Sequence, residues 1–150
     1  AAGYAVVVLD LSTRSFDRLP NEFRGTAVRG DGTDEDTLRR AGAEDADVFL
    51  ALTEGDNRNV MAAQVATEKL DIERVLAKIN DPVRAAAYAE LGIATVCRTT
   101  MLADAISGFL DLEQSGVPSL IAATGRHHGD ARHTSIVDAL GAGAAADGEG

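Results

Sequence analysis

Five short apolar runs recur along the chain, and each stops within a residue or two at Gly, Asp, Asn or Thr. They are residues 5–9 before Asp10, Thr26–Arg29 before Gly30-Asp31-Gly32, and residues 48–52 before Thr53. Val75–Ile79 before Asn80-Asp81-Pro82 and Ala94–Cys97 complete the set. Runs that are apolar on both alternating faces suit parallel strands covered on each side by helices. The segments between them carry helical period and legible ends. Thr33 is the expected N-cap of one helix, with Asp36 three residues on and Gly42 closing it. Asp56 is expected to cap the next, whose apolar face is Val60, Met61, Ala63, Val65 and Leu70. Asp81 followed by Pro82 starts a third helix, which Gly92 ends. Thr99 or Thr100 starts a fourth, and residues 117–123 read as either a short sixth strand or a packed arm. Strands and helices alternating over such short joins mean βαβ units. The expected fold is α/β, an open doubly wound parallel sheet.

With 150 residues the chain has one domain's worth of sequence, and 45% hydrophobic residues suffice for a core. Residues 1–125 read as that domain, and 126–150 as a flexible Gly/Ala-rich tail. Fourteen Lys and Arg against 24 Asp and Glu give a net charge of -10. Such an acidic balance disfavours nucleic acid and anionic lipid as direct partners. No apolar run is long enough to span a bilayer, so direct membrane insertion is not expected. A single cysteine cannot form an internal disulfide, and the expected compartment is the cytoplasm.

Three loops stand at the carboxyl ends of predicted strands, where open α/β sheets bind ligands. Asp10 ends the first strand, as a reader of ribose hydroxyls or as the cap of its own turn. Gly30-Asp31-Gly32 follows the second, as a backbone that lets a ligand approach or as a tight turn. Thr53 to Asn59 follows the third, where Glu54 and Asp56 oppose a phosphate unless Arg58 offsets them. Catalytic patterns are missing: there is neither a G-x-x-x-x-G-K-[ST] loop nor a G-x-S-x-G elbow. His127, His128 and His133 lie in the tail, and Cys97 reads as a buried, inert thiol. No enzyme activity is expected.

Taken in order, VVVLD, GDGTDEDTLRRAGAEDADVFLALT, DNRNVMAAQVA, VLAKINDP and AELGIATV resemble the TrkA-N family. This Rossmann-type module, also called RCK or KTN, is matched over residues 3–112, about three quarters of the chain. The resemblance implies a cytoplasmic regulatory subunit that gates a membrane-embedded potassium transporter by binding NAD(H) or ATP/ADP. It implies a ribose acid at Asp10, an adenine loop at Gly30, Asp31 and Gly32, and nucleotide-facing polar groups at Thr53 and Asn59. Lys78 stands where many members have Arg, and keeps the charge without the planar fork. The family's first strand and its G-x-G-x-x-G turn are expected before Gly3, so the sequence reads as a fragment. Without that turn, nucleotide binding by residues 1–150 is expected to be weak or absent. Two rival readings are an NAD-dependent oxidoreductase fragment and a degenerate dimerisation module that binds nothing.

The predicted fourth helix carries Met101, Leu102, Ala105, Ile106, Phe109 and Leu110, an apolar stripe at helical period. In the resembling family the helix after this strand helps join subunits. A homodimer or higher oligomer is therefore expected, with Phe109 and Leu110 near the contact.

Overall fold

Each apolar run becomes a strand, and every intervening segment but the one between the first two runs holds an α-helix, in the computed structural model, which describes residues 3–114 and 116–122. The chain divides into two compact units, one ending at Ile79 and one beginning at Asn80. The tail from 126, with its three histidines, lies outside the described residues.

The first unit holds β1 (Val7–Asp10), β2 (Thr26–Arg29), α1 (Glu35–Arg40), β3 (Phe49–Ala51), α2 (Asp56–Lys69) and β4 (Val75–Ile79). β1 runs parallel to β2, with Val7 opposite Thr26 and Asp10 opposite Arg29. β3 runs parallel to β4, with Phe49 opposite Val75 and Ala51 opposite Ala77. Two 3-10 turns, Thr13–Arg18 and Ala43–Asp45, went unpredicted, because short 3-10 turns carry no apolar period. The core forms where α2 lies on β3 and β4. Ala62, Ala63 and Ala66 on the helix and Val75, Ala77 and Ile79 on β4 are all buried. Methyl-sized side chains let the helix approach the strands closely, and larger neighbours such as Leu70 and Ile72 fill the rim. The chain leaves α2 through Asp71, whose φ of 54° turns Ile72 back to bond the Ala66 carbonyl at 3.1 Å. Asp is among the few non-glycine residues that tolerate this conformation.

Arg39, at the end of α1, donates to the Lys69 carbonyl at the end of α2 at 2.9 Å. The same guanidinium pairs with Glu35 at 2.8 Å and with Glu44.

Cover on both faces, expected for every strand, is not found. Val6 and Val7 at β1 are 44% and 51% exposed, and Leu50 in β3 is 53% exposed. The reason is topological. Among the described strands β1 bonds only to β2, and β3 lies at the end of its own ladder. Each therefore presents one open edge and a partly wetted face.

The second unit contains α3 (Pro82–Glu90), β5 (Ala94–Cys97), α4 (Arg98–Phe109) and β6 (Leu120–Ile121). Residues 117–123 thus include a short strand, and it pairs antiparallel to β5 rather than extending a parallel set. Ala85, Ala89, Ile93, Ala94 and Cys97 are its buried apolar residues. Thr95 is fully buried, with its hydroxyl donating to the Ala85 carbonyl at 3.1 Å. The expected caps are met at Asp81, whose carboxylate accepts from Val83 N–H at 2.9 Å and Arg84 N–H at 3.4 Å. Gly42 and Gly92 take left-handed φ of 80° and 88° after α1 and α3. Three starts shift by a residue or two. Asp34, not Thr33, caps α1; Gly55, not Asp56, precedes α2; α4 begins at Arg98. Asp34 prevails because its carboxylate reaches Thr37 N–H at 2.9 Å, while the Thr33 hydroxyl is already bonded to Asp31.

Replacing Asp81 by Ala should destabilise the chain by about 1 kcal/mol, the usual worth of an N-cap. Chemical denaturation of the two proteins measures it, and an unchanged midpoint would count against the cap.

Candidate functional site

Strand direction places the ends of β1, β2, β3 and β4 where the chain turns into loops or helices, and the seven sequence-predicted residues lie at those ends. At β1, Asp10 is half-buried and its Oδ1 accepts from Ser12 N–H at 2.7 Å. This is the bond of a residue capping its own turn, and it occupies one oxygen only. Opposite it in register, Arg29 sends its Nε to the Leu11 carbonyl at 3.3 Å. The ladder closes with Gly30 N–H donating to the Asp10 carbonyl at 3.0 Å.

The glycine loop divides by role. A Cβ on Gly30 would lie 2.3 Å from Cγ2 of Thr37, so the missing side chain is what lets α1 approach β2. A Cβ on Gly32 would meet only Leu9, at an ordinary 3.5 Å. Asp31 between them is half-buried, and its Oδ1 accepts from Thr33 N–H at 2.9 Å and from the Thr33 hydroxyl at 2.8 Å. These two bonds, backbone first, hold its carboxyl below the ordinary 3.8, with the Arg58 charge adding to them against a desolvation cost. Asp31 is therefore an anion at neutral pH.

Beyond β3 the chain is tied by one side chain. Asn59 is 0% exposed, and its Oδ1 accepts from Thr53 N–H at 2.8 Å and the Thr53 hydroxyl at 2.7 Å. Its Nδ2 donates to the Thr53 carbonyl at 2.9 Å and to the Lys78 carbonyl at 2.8 Å. Two donors and two acceptor positions exhaust a carboxamide. Asn59 is thus a pin between the carboxyl ends of β3 and β4, and its amide is consumed within the protein. Thr53 remains exposed on the surface side of that pin. Lys78 extends from β4 with its side chain only 13% exposed, and its Nζ lies 3.4 Å from Oε1 of Glu54, which is 84% exposed.

The sequence-predicted residues thus form two groups. Asp10, Gly30, Asp31 and Gly32 surround the ends of β1 and β2, and Thr53, Asn59 and Lys78 form a bonded cluster across β3 and β4. Sequence reasoning missed two features. Glu54 emerged only as an opponent of phosphate, not as the partner of Lys78. Asn59 looked ligand-facing, although its spacing from Ala63, Ala66 and Leu70 sets it on the buried face of α2. That spacing was the available signal.

Elsewhere, Cys97 is 1% exposed with its Sγ 3.7 Å from the Asn80 carbonyl, as expected of an inert thiol. An open recess at the other ends of β3 and β4, lined by Glu44, Asp47, Ile72, Glu73 and Arg74, contains none of the predicted residues. Among the described residues no group of His, Cys, Asp and Glu is arranged to hold a metal. No described helix is long and apolar enough to cross a membrane.

Truncating Asn59 to Ala strands the Thr53 and Lys78 carbonyls and should cost about 2–3 kcal/mol, the range for unsatisfied polar groups near a core. Thermal and chemical denaturation read this directly. A loss below about 0.5 kcal/mol, the scatter of neutral surface changes, would refute the pin.

The sequence profile of the TrkA-N domain matches residues 1–99. The chain is 48% identical over 102 residues to the Trk system potassium uptake protein TrkA of Streptomyces coelicolor, covering 68% of this chain and 46% of that protein. It is 30% identical over 82 residues to a Trk system potassium uptake protein TrkA homolog of Archaeoglobus fulgidus, covering 55% of this chain and 18% of the homolog. The chain therefore spans less than half the length of these curated relatives. Among solved structures, the Shewanella denitrificans Kef CTD in AMP bound form superposes with a TM-score of 0.54 at 20% identity. That match covers 75% of this chain and 70% of the Kef CTD chain, and it speaks to the fold alone.

Proposed function

The chain belongs to the TrkA-N domain family, and from that premise we propose that it is a regulatory nucleotide-binding part of a potassium uptake system. Its work is to convert nucleotide binding into a bias on a membrane-embedded potassium transporter subunit, from the cytoplasmic side. The ligand class is an adenine nucleotide, either NAD(H) or ATP/ADP. The reading is of a regulatory rather than a catalytic part, supported by a site that brings charges and hydrogen-bond acceptors together.

The observation that carries this reading is the pair of half-buried acids at the ends of adjacent strands, Asp10 and Asp31. Each commits Oδ1 to its own turn and holds the carboxylate in a fixed direction. A carboxylate so placed can accept from vicinal ribose hydroxyls at Asp10, and from an exocyclic amino group at Asp31. A 2′-phosphate at Asp10 would meet like charge, which favours NAD(H) over NADP(H). Lys78 and Arg58 are the cations on hand for phosphate, Gly30 and Gly32 keep the loop backbone open, and Thr53 offers its exposed surface. Asn59 contributes through the backbone positions it sets. The relatives' role in potassium uptake and the AMP in a neighbour of the same fold support the assignment.

Titration of adenosine, AMP and NADH by NMR into the millimolar range reads even weak sites. Shifts should cluster at Asp10 and Asp31 amides, and Asp10→Ala should weaken adenosine binding about five- to hundredfold, the loss of charged hydrogen bonds. Equal affinity in variant and parent would overturn the reading.

Assembly follows from α4. Met101 and Ile106 are each 51% exposed, Leu102 is 61% and Phe109 is 86%, so the stripe is not covered by the described residues of its own chain. We propose a homodimer or larger oligomer that buries it. Replacing Phe109 and Leu110 by Asp should leave a folded monomer by sedimentation and circular dichroism, and a parent that sediments as a monomer at high micromolar concentration would refute the interface.

A further inference from the structure

The ion pair between Lys78 and Glu54 is asymmetric in a way that bears on ligand choice. Lys78 is anchored at both ends of its reach. Its carbonyl is held by Asn59 Nδ2 at 2.8 Å, and its stem is shielded so that the side chain is only 13% exposed. Glu54 stands on the loop between β3 and α2 with 84% of its side chain in solvent. Breaking the 3.4 Å contact therefore strands different groups on the two sides. A released Glu54 keeps its large exposure to solvent where it stands. A released Lys78 remains a mostly shielded side chain whose charge is left without that anion.

We propose that Glu54 is a specificity-determining residue, a displaceable surrogate anion that occupies Lys78 until the phosphate of a nucleotide takes its place. This rests on the nucleotide reading of the site. A ligand with a phosphate competes with Glu54 for the cation, so the protein's own carboxylate discounts phosphate binding. A nucleoside without phosphate makes no such exchange. The arrangement adds to the general field of a chain of net charge -10, which itself disfavours anions. It also assigns Lys78 a graded response: the more negative the phosphate chain, the more completely it outcompetes one carboxylate.

The experiment compares ADP with adenosine by NMR titration of the 150-residue chain and its Glu54→Gln variant. The amide keeps the shape and removes the competing charge. ADP should bind about two- to fivefold more tightly to the variant, the worth of one exposed ion pair, while adenosine is unchanged. Added salt should shrink the difference. Removing a negative charge also attracts ADP through the general field, so the decisive step is the same comparison in a Lys78→Met background. There the Glu54→Gln gain should vanish; a gain of the same size would overturn the proposal. Circular dichroism checks that the Met variant is folded. Should it fail to fold, the Lys78 side-chain ammonium resonance provides the readout: it must move with ADP and stay with adenosine, and a resonance indifferent to ADP overturns the proposal. If both ligands bind the parent but Glu54→Gln leaves their ratio alone, this proposal fails by itself. If neither binds the parent, the nucleotide reading fails and this one with it.

Discussion

One carboxamide holds the candidate site in register. Parallel strands do not meet at their carboxyl ends; each departs into its own loop, and nothing in a β ladder sets how those loops sit. Asn59 supplies that constraint by reaching from the first turn of α2 to Thr53 after β3 and to Lys78 on β4. Because all four of its bonding positions are used, a shift of either strand end breaks a buried bond rather than exchanging it for water. The loop carrying Glu54 and the direction of the Lys78 backbone both follow from that fixture. Alanines on the same helix face bring α2 close enough for so short a side chain to reach both strands.

The other half of the site is set by turn chemistry. Asp10 and Asp31 are cappers first: each accepts from a backbone N–H two residues ahead, at 2.7 and 2.9 Å. Reading such residues as structural or as ligand-binding is a false choice. A carboxylate has two oxygens and about four lone-pair sites, and a turn consumes few of them. The capping bond gives the acid a fixed direction and, at Asp31, a lowered pKa, so the remaining acceptors are pre-aimed and ionised. Rotamer entropy that a ligand would otherwise have to freeze is already lost on folding.

What was legible in the sequence divides along the same physical lines. Local rules worked where one residue decides: Asp81-Pro82 starts α3, and Gly42 and Gly92 take left-handed backbone after their helices. Apolar runs located every strand from β1 to β5. The N-cap of α1 was misplaced because Thr33 and Asp34 are both good caps, and the Asp31–Thr33 bond that decides between them is tertiary detail of a loop. The antiparallel turn of β6 was likewise open, since two strand residues carry no direction. The places of Asp10, Gly30, Asp31, Gly32 and Thr53 at the carboxyl ends of strands followed from the strand-end rule. Their roles did not, because the rule says where a side chain starts and not what it reaches. Asn59 shows this best: its position on the buried face of α2 was readable, but its four bonds go to two residues in separate stretches of chain, Thr53 and Lys78.

Apolar surface left in solvent is the remaining constraint on how the chain works. Burying a large apolar side chain is worth about 1.5–3 kcal/mol, so the exposed Met101, Leu102, Ile106 and Phe109 together forgo several kcal/mol. Helix α4 is not poorly formed for lack of that burial; its backbone bonds are local, as every helix's are. Open strand edges differ in kind from the helix face. Among the terminal strands, β1 and β3 leave backbone N–H and C=O groups to water as well as the side chains of Val7 and Leu50, and a protein partner replaces that water only by pairing as another strand. A helix face accepts any complementary apolar surface, whereas a strand edge demands direction and register. The helix face is thus suited to joining copies in the proposed oligomer, and the edges to a partner defined by backbone geometry.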